Sequence, residues 1–345
     1  MKKVLLTSTA LVMSAGMAAA EVGVSGFAEL GFFEIDEPAG RGEWELHTDI
    51  DVTFTLSGAT DNGLVFGASI DLDESDGSGG CDFDNLILDT IVCEVSGNSP
   101  AFDNDTQGGE SIFVSGNFGT LTMGDTDGAL DWAMQEAIIG ASIIDDNEHG
   151  GYNGNSFFDS VGDGQIARYE YSFGDFSAAV SYAQINNGLT DEILGDDIWG
   201  IGATYASDFG TGVNWRFGLG YQECSGCEAY GASIGARLDS GFEAIINFSN
   251  SEVDGALGAL GTDTDHYGIA LGYRFDAWTF AVNYGEFDFQ NSDITIDGYS
   301  LIVNYDLGGG AEAQFGYGST STDTPAGLPQ VDDIDTYSLG LALNF

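Results

Sequence analysis

The sequence predicts an all-β protein, a transmembrane antiparallel up-and-down β-barrel of about 16 strands. Apolar and polar side chains alternate with a period of two through most of the chain, which is the period of a β-strand. Tight turns alternate with long polar loops, among them 222–229 and 286–296, as expected when one rim of a barrel carries turns and the other carries loops. Aromatic residues gather near strand ends, where a membrane barrel has its interfacial girdles.

The first 20 residues have the features of a signal peptide. Lys2 and Lys3 begin the chain, an apolar stretch follows, and Ala18-Ala19-Ala20 fits a small-residue cleavage site. We therefore expect residues 1–20 to be removed on export and residues 21–345 to form one barrel domain. An even number of strands would place both termini at the rim of short turns.

Segment 43–58, "EWELHTDIDVTFTLSG", is the clearest predicted strand. Its apolar face carries Trp44, Leu46 and Ile50. Its polar face carries Glu43, Glu45, His47, Asp49 and Asp51. In a soluble β-sandwich the apolar face would point inward, whereas in a wide membrane barrel it meets lipid and the polar face lines a wet lumen. The loop pattern and the aromatic positions favour the barrel.

The same alternation in "RYEYSF", "VNWRFGLGY" and "YGIALGYRF" defines the polar faces of later strands. Glu170 lies on such a face and is expected to line the lumen. Arg168, Arg216, Arg237 and Arg274 also lie on polar faces. Facing lipid, each arginine would cost roughly 2–4 kcal/mol at the bilayer midplane.

Charge excludes one class of partner. After the signal peptide the chain has five arginines and no lysine against 56 acidic residues. No nucleic acid could be held through its phosphates by such a surface. Disorder is also excluded, because 43 % of the residues are hydrophobic and 12 % are aromatic.

Three segments resemble trimeric porins of Gram-negative bacteria, especially those of alphaproteobacteria: "EVGVSGFAELGFF", "GNFGTLTMGDTDGA" at 116–129, and the terminal Phe345. The resemblance implies a sixteen-stranded barrel, a homotrimer, in the cell outer membrane among lipid and lipopolysaccharide. It implies passive diffusion of small hydrophilic solutes and ions. It also implies that the third long loop folds into the lumen and narrows it.

That loop would span about residues 126–164, with "ALDWAMQEAIIGA" as a possible short helix on the inner wall. The resemblance implies a constriction between loop acids and wall arginines: Asp127, Asp131, Glu136, Asp145, Asp146 and Glu148 facing Arg168, Arg216, Arg237 and Arg274. Such porins usually carry more basic residues on the wall. Here the lumen is net negative, so we expect cation preference. Alternatively, the arginines only pair with acids on the strands.

Four cysteines remain in an exported chain, where disulfides are expected. Three connectivities are possible, and we favour Cys81–Cys93 and Cys224–Cys227 as loop staples. No cofactor is required. Porins that this chain resembles can hold calcium in the constriction loop, which makes Asp145, Asp146 and Glu148 possible calcium ligands.

Two other functions stay open at this point. Some barrels in the outer membrane are lipid hydrolases, but this chain has three histidines and no G-x-S-x-G motif, so we expect no enzyme. A structural or adhesin barrel would need a domain to plug its lumen, and no part of the chain is spare. Sequence leaves the permeating solute undetermined.

Overall fold

The computed structural model describes residues 21–36, 42, 44–73, 109–144, 149–159, 165–184, 197–253, 262–327 and 333–345. They form a closed barrel of 16 antiparallel strands, in which each strand pairs with its neighbours in sequence and β1 pairs with β16. This confirms the predicted fold. The strands are β1 (Glu21–Asp36), β2 (Glu45–Ala59), β3 (Val65–Asp73), β4 (Gly109–Gly116), β5 (Gly119–Gly124), β6 (Ile166–Phe173), β7 (Phe176–Gln184), β8 (Asp197–Ser207), β9 (Val213–Cys224), β10 (Cys227–Leu238), β11 (Phe242–Val253), β12 (Thr262–Phe275), β13 (Trp278–Phe289), β14 (Ile294–Gly308), β15 (Ala311–Asp323) and β16 (Ile334–Asn344).

The two faces of each strand differ as a membrane barrel requires. On β2, Leu46 is 80 % exposed and Ile50 is 45 % exposed, whereas Asp49 between them is only 3 % exposed. Apolar side chains thus cover the outside of the barrel, and polar side chains point inward. A soluble sandwich would have shown the opposite arrangement.

The start of β1 and the C-terminal Phe345 both lie at the rim of short turns, as predicted from the even strand count. Glu21 pairs with Ser57 near the β2–β3 turn, and the Phe345 N–H donates to the Gly26 carbonyl at 2.9 Å. The other rim differs from prediction at two connections. β9 continues to Cys224 and β10 begins at Cys227, so a two-residue turn replaces the long loop expected at 222–229. Likewise, four residues replace the loop expected at 286–296. Outside the apolar, lipid-facing part of the barrel, apolar and polar residues no longer alternate, although the strands stay hydrogen-bonded to each other. Sequence alternation therefore underestimates the length of these strands.

The described part of the β5–β6 connection lies inside the barrel. β5 ends at Gly124 and β6 begins at Ile166, and the described residues between them, 125–144, 149–159 and 165, are here called the inner loop. Its first part contains α1 (Ala129–Ala133). In the described part of the chain, no helix has the length and apolar character needed to cross a membrane.

Candidate functional site

The inner loop follows the barrel's inner wall and is hydrogen-bonded to one strand after another. The Ala129 N–H donates to Ser181 Oγ on β7 at 2.9 Å. The Ile139 N–H donates to Asn283 Oδ1 on β13 at 2.9 Å, and the Gly150 N–H donates to Thr320 Oγ1 on β15 at 2.7 Å. Backbone N–H groups of the loop thereby donate hydrogen bonds to polar side chains of the wall. These bonds stabilise a mostly non-helical segment inside the barrel.

The loop buries its apolar side chains against the wall in three places. Leu130, Met134 and Phe158 pack with Ile198 and its neighbours. In the second place, Ala137 and Ile139 of the loop pack against Ala270 and Ile302. In the third, Ile143 and Ile144 pack against Phe33 and Ile334. The apolar face of the loop thus meets the wall. The predicted short helix in this segment is present, although it is limited to the five residues of α1.

Strand glycines provide the space in which the loop lies. A Cβ atom at Gly202 would collide with the Ala129 carbonyl, and one at Gly285 would collide with the Gly151 carbonyl. Both glycines belong to lumenal faces that alternate with outward apolar residues. Glycine, serine and asparagine on the polar faces are therefore the sequence signal for the position of the loop.

Asp159 joins the two ends of the inner loop. Its Oδ2 accepts from the Gly128 N–H at 2.7 Å, and its Oδ1 accepts from Gln222 Nε2 on β9 at 2.7 Å. Burial raises the pKa of Asp159 to about 7, and the neighbouring Asp127 acts in the same direction, while both hydrogen bonds and Arg168 oppose it. Sequence reasoning had assigned this carboxylate no particular role.

His149 belongs to the inner loop and packs against Gly298 of β14. The Gly151 N–H donates to its Nδ1 at 3.2 Å, and the Gly151 carbonyl is 3.0 Å from His266 Nε2. Burial lowers the pKa of His149 to about 4, and the nearby His266 adds to this effect. His149 is therefore neutral near pH 7 and adds no positive charge to the lumen.

The four arginines predicted for the constriction lie at different heights. Arg168 reaches the inner loop, donating to the Asp127 carbonyl, and its Nε is 3.7 Å from Glu170. The Arg216 carbonyl accepts from Gln135 Nε2 of the loop at 3.0 Å. Arg237 and Arg274 are each two residues from a short turn. The structure thus brings Arg168 to the loop and places the last two toward the short-turn rim. The role of all four in the constriction stays a prediction.

The predicted acids are only partly covered by the described residues. Asp127 and Asp131 lie at the beginning of the inner loop, and Asp131 is buried. Glu136 accepts a hydrogen bond from the Tyr152 hydroxyl at 2.7 Å. The remaining predicted positions lie outside the described residues, namely Glu43, Asp145, Asp146 and Glu148. The calcium prediction therefore stays a prediction. Among the residues with described positions, no group of three His, Cys, Asp or Glu could hold a metal ion.

The wall of β1 and β2 carries the predicted lumenal acids. Glu45, His47, Asp49 and Asp51 lie on the less exposed, inward face of β2. Sequence reasoning missed Glu29 of β1, which pairs across from Asp49 and is only 3 % exposed. The alternation of "GFAELGFF", which puts Glu29 on the inward face, would have identified it.

The Cys224–Cys227 disulfide is present, as predicted, and closes the β9–β10 hairpin. Cys227 is buried and belongs to the cluster that contains Phe158 and Leu130. The disulfide thus also supports the seat of the inner loop. The predicted Cys81–Cys93 pair lies outside the described residues.

A sixteen-stranded barrel with an apolar exterior, a polar interior and a loop fixed inside the lumen is the structure of an outer-membrane diffusion channel. The family model described as Gram-negative porin matches residues 7–325, and the chain belongs to this family. It is thus a porin of the outer membrane, and its family and fold point to a channel rather than an enzyme.

Individual relatives agree with this assignment. A protein named "Porin" from Rhodobacter capsulatus is 28 % identical over 320 residues, covering 84 % of this chain and 91 % of that protein. A porin structure refined at 1.8 Å resolution is 22 % identical with a TM-score of 0.66, covering 94 % of this chain and 100 % of that one. A loop-deletion mutant of OmpT, an outer membrane protein of Vibrio cholerae, is 12 % identical with a TM-score of 0.66, covering 95 % of this chain and 100 % of that one.

Proposed function

We propose that this porin lets small hydrophilic solutes and ions diffuse passively and that it prefers cations. The observation that carries the proposal is that carboxylates occur both on the inner loop and on the barrel wall. Asp127 and Glu136 belong to the inner loop, while Glu29, Asp49 and Asp51 belong to the inward face of the β1–β2 wall. A lumen whose loop and wall carry the same sign of charge favours the opposite ion, because screening over the short distances of a pore is weak.

Carboxylates on the barrel wall offset part of the positive charge of the wall arginines. Arg168 lies beside Glu170, and Arg274 forms an ion pair with Glu243 of the neighbouring strand. Arg237 is directly opposite Glu243 in the β10–β11 register. Two wall carboxylates, Glu170 and Glu243, thus neighbour three of the four wall arginines, with Glu243 shared by Arg237 and Arg274, so part of the positive charge on the wall is offset.

The test is the zero-current potential of purified mature protein in a planar bilayer with a KCl gradient. Cation preference predicts a potential close to that of K⁺, together with ohmic single-channel steps. Asp49→Asn combined with Asp51→Asn should move the potential toward zero, whereas Glu223→Gln on the outward face should leave it unchanged. A potential of the opposite sign in the wild type would contradict the proposal. Insertion without conductance would support a plugged adhesin or enzyme barrel.

We further propose that the channel is a homotrimer whose interface lies on β1 to β5. These five strands contain no tyrosine or tryptophan, and Trp44 lies directly before β2, whereas tyrosine occurs on β6 and on many later strands. Tyrosine and tryptophan anchor lipid-facing surfaces at the membrane interface, so a wall without them suits contact with protein. Its outward residues are apolar, with phenylalanines such as Phe32 and Phe66 among aliphatic residues such as Val24, Ile50 and Leu121. Sedimentation in detergent should give the mass of three chains, and Ile50→Arg should reduce it to one.

The outer rim suits the lipid partners that the family resemblance implies. Glu223 and Glu228 face outward on adjacent strands, and both accept from the Tyr221 hydroxyl at 2.8 Å. Carboxylates at headgroup height can be bridged to lipopolysaccharide phosphates by divalent cations. If so, EDTA should release bound lipopolysaccharide from the wild type, whereas Glu223→Gln combined with Glu228→Gln should retain less before EDTA is added.

A further inference from the structure

The inward faces of β1 and β2 contain a pair of buried polar atoms that face each other without a hydrogen bond. Glu29 Oε2 lies 3.8 Å from His47 Nε2, which is too long for a direct hydrogen bond. Neither atom has a hydrogen-bond partner among the described residues. The side chain of Glu29 is 2 % exposed and that of His47 is 11 % exposed, so bulk water does not replace the missing partner.

The surroundings of this pair increase the free-energy cost of leaving these two polar atoms without a hydrogen bond. Phe33 packs edge-on against the His47 ring, with 6.2 Å between ring centroids. Ile143 of the inner loop lies over Gly31, the residue directly across from His47. Apolar groups on two sides lower the local dielectric, which strengthens the demand of a buried carboxylate for a positive partner.

A second carboxylate lies next to the pair. Asp49 is directly across from Glu29 in the β1–β2 register, and both side chains point inward. Like charges in this position repel each other, because directly opposite side chains of an antiparallel pair lie about 5 Å apart. A positive group placed between Glu29 and His47 would offset this repulsion and would also satisfy the two unbonded atoms.

We propose that Glu29 and His47, with Asp49 beside them, form a cation-binding site in the lumen. The site takes a compact monovalent cation, either an ammonium group or an alkali ion. An ammonium group donates to Glu29 Oε2 and to the lone pair of His47 Nε2, and an alkali ion accepts the same two lone pairs. A bare divalent metal is a poorer fit, because the site offers it two ligand atoms, Glu29 Oε2 and His47 Nε2, with Asp49 adding charge beside them, and the described residues contain no group of three metal ligands. The inference rests on the proposed cation preference and names where a permeating cation pauses.

The experiment measures single-channel conductance of the full mature protein against salt concentration, in separate series of ammonium, methylammonium, potassium and tetramethylammonium chloride. A binding site makes conductance saturate. Saturation with ammonium and methylammonium alone identifies an ammonium site, and equal saturation with potassium identifies a site for compact cations in general. Tetramethylammonium, which has no N–H donor and is too large, should show no saturation. Linear conductance in all four salts would overturn the proposal.

Variants locate the site. Glu29→Gln should raise the half-saturating concentration about tenfold, as expected for the loss of one charge-assisted contact. Glu312→Gln is the matched control, because it removes a lumenal carboxylate that is bonded instead to Asn304 and Gln314. It should leave the half-saturating concentration unchanged. Equal effects of the two variants would overturn the site.

Two further measurements keep the test decisive. If Glu29→Gln fails to insert into the membrane, His47→Gln decides the question, since it should weaken saturation in the same direction. The zero-current potential in a KCl gradient is recorded for every variant. Retained cation preference without an effect of Glu29 rejects the site alone, whereas anion preference in the wild type rejects the proposed function as well.

Discussion

Replacing Gly202 by alanine should push the inner loop into the lumen. Gly202 lies on the inward face of β8, and a Cβ atom there would be 1.9 Å from the Ala129 carbonyl oxygen and 2.8 Å from Ala133 Cβ. Ordinary contact begins at 3.4 Å. The backbone of α1 must therefore retreat by about 1.5 Å, and the barrel wall leaves only the direction toward the pore axis.

The cost of this displacement follows from the contacts that change. A shift of about 1.5 Å breaks the 2.9 Å bond from the Ala129 N–H to Ser181 Oγ, a loss of about 1 kcal/mol. Overpacking adds about 1–3 kcal/mol. The barrel should still fold, because the strand ladder is untouched, but the loop should lie further into the pore.

Single-channel conductance and the rate of sugar uptake by proteoliposomes measure this narrowing. Gly202→Ala should lower both, and the uptake of larger sugars should fall most. The control is Gly154→Ala in the same loop, where an added Cβ meets no atom closer than 3.6 Å. Wild-type conductance in folded Gly202→Ala protein would refute the conclusion that α1 rests on this glycine.

Two further predictions concern the supports of the inner loop. The pKa of Asp159 is raised from 3.8 to about 7, so the folded state binds this proton more tightly than the unfolded chain does. The resulting contribution to stability is present at low pH and is lost as the pH rises from about 4 to about 7. Asp159→Asn should therefore flatten the pH dependence of the heat-denaturation temperature between pH 4 and pH 8, and an unchanged slope would show that another group titrates. Replacing Cys224 and Cys227 together by serine removes a disulfide with a sequence separation of 3, for which a loop-entropy argument gives about 2 kcal/mol of stability. Thermal unfolding should show that loss of stability, and protease cleavage of the inner loop near Phe158 should become faster. A double variant as stable as the wild type and as resistant to protease would contradict the packing described for Cys227.

Local pattern determined much of the architecture. Alternation of Leu46 and Ile50 with Asp49 and Asp51 was enough to predict a strand and, with the loop lengths, to predict which face meets lipid. The even number of such segments placed the termini. These properties depend on neighbours within one strand, where a period of two leaves few alternatives. The same reasoning failed near Cys224 and Cys227, since strands above the membrane keep their backbone pairing without an apolar face.

The arrangement inside the lumen depended on the tertiary structure. Asp159 meets Gln222, 63 residues away in sequence, and Asn283 holds Ile139, 144 residues away. No periodicity encodes such contacts, because they depend on the path of the inner loop around the wall. Sequence identified the acids and arginines of the lumenal faces. Only the closed barrel, which fixes each strand's height and partner, decided that Glu29 faces His47 while Arg274 pairs with Glu243.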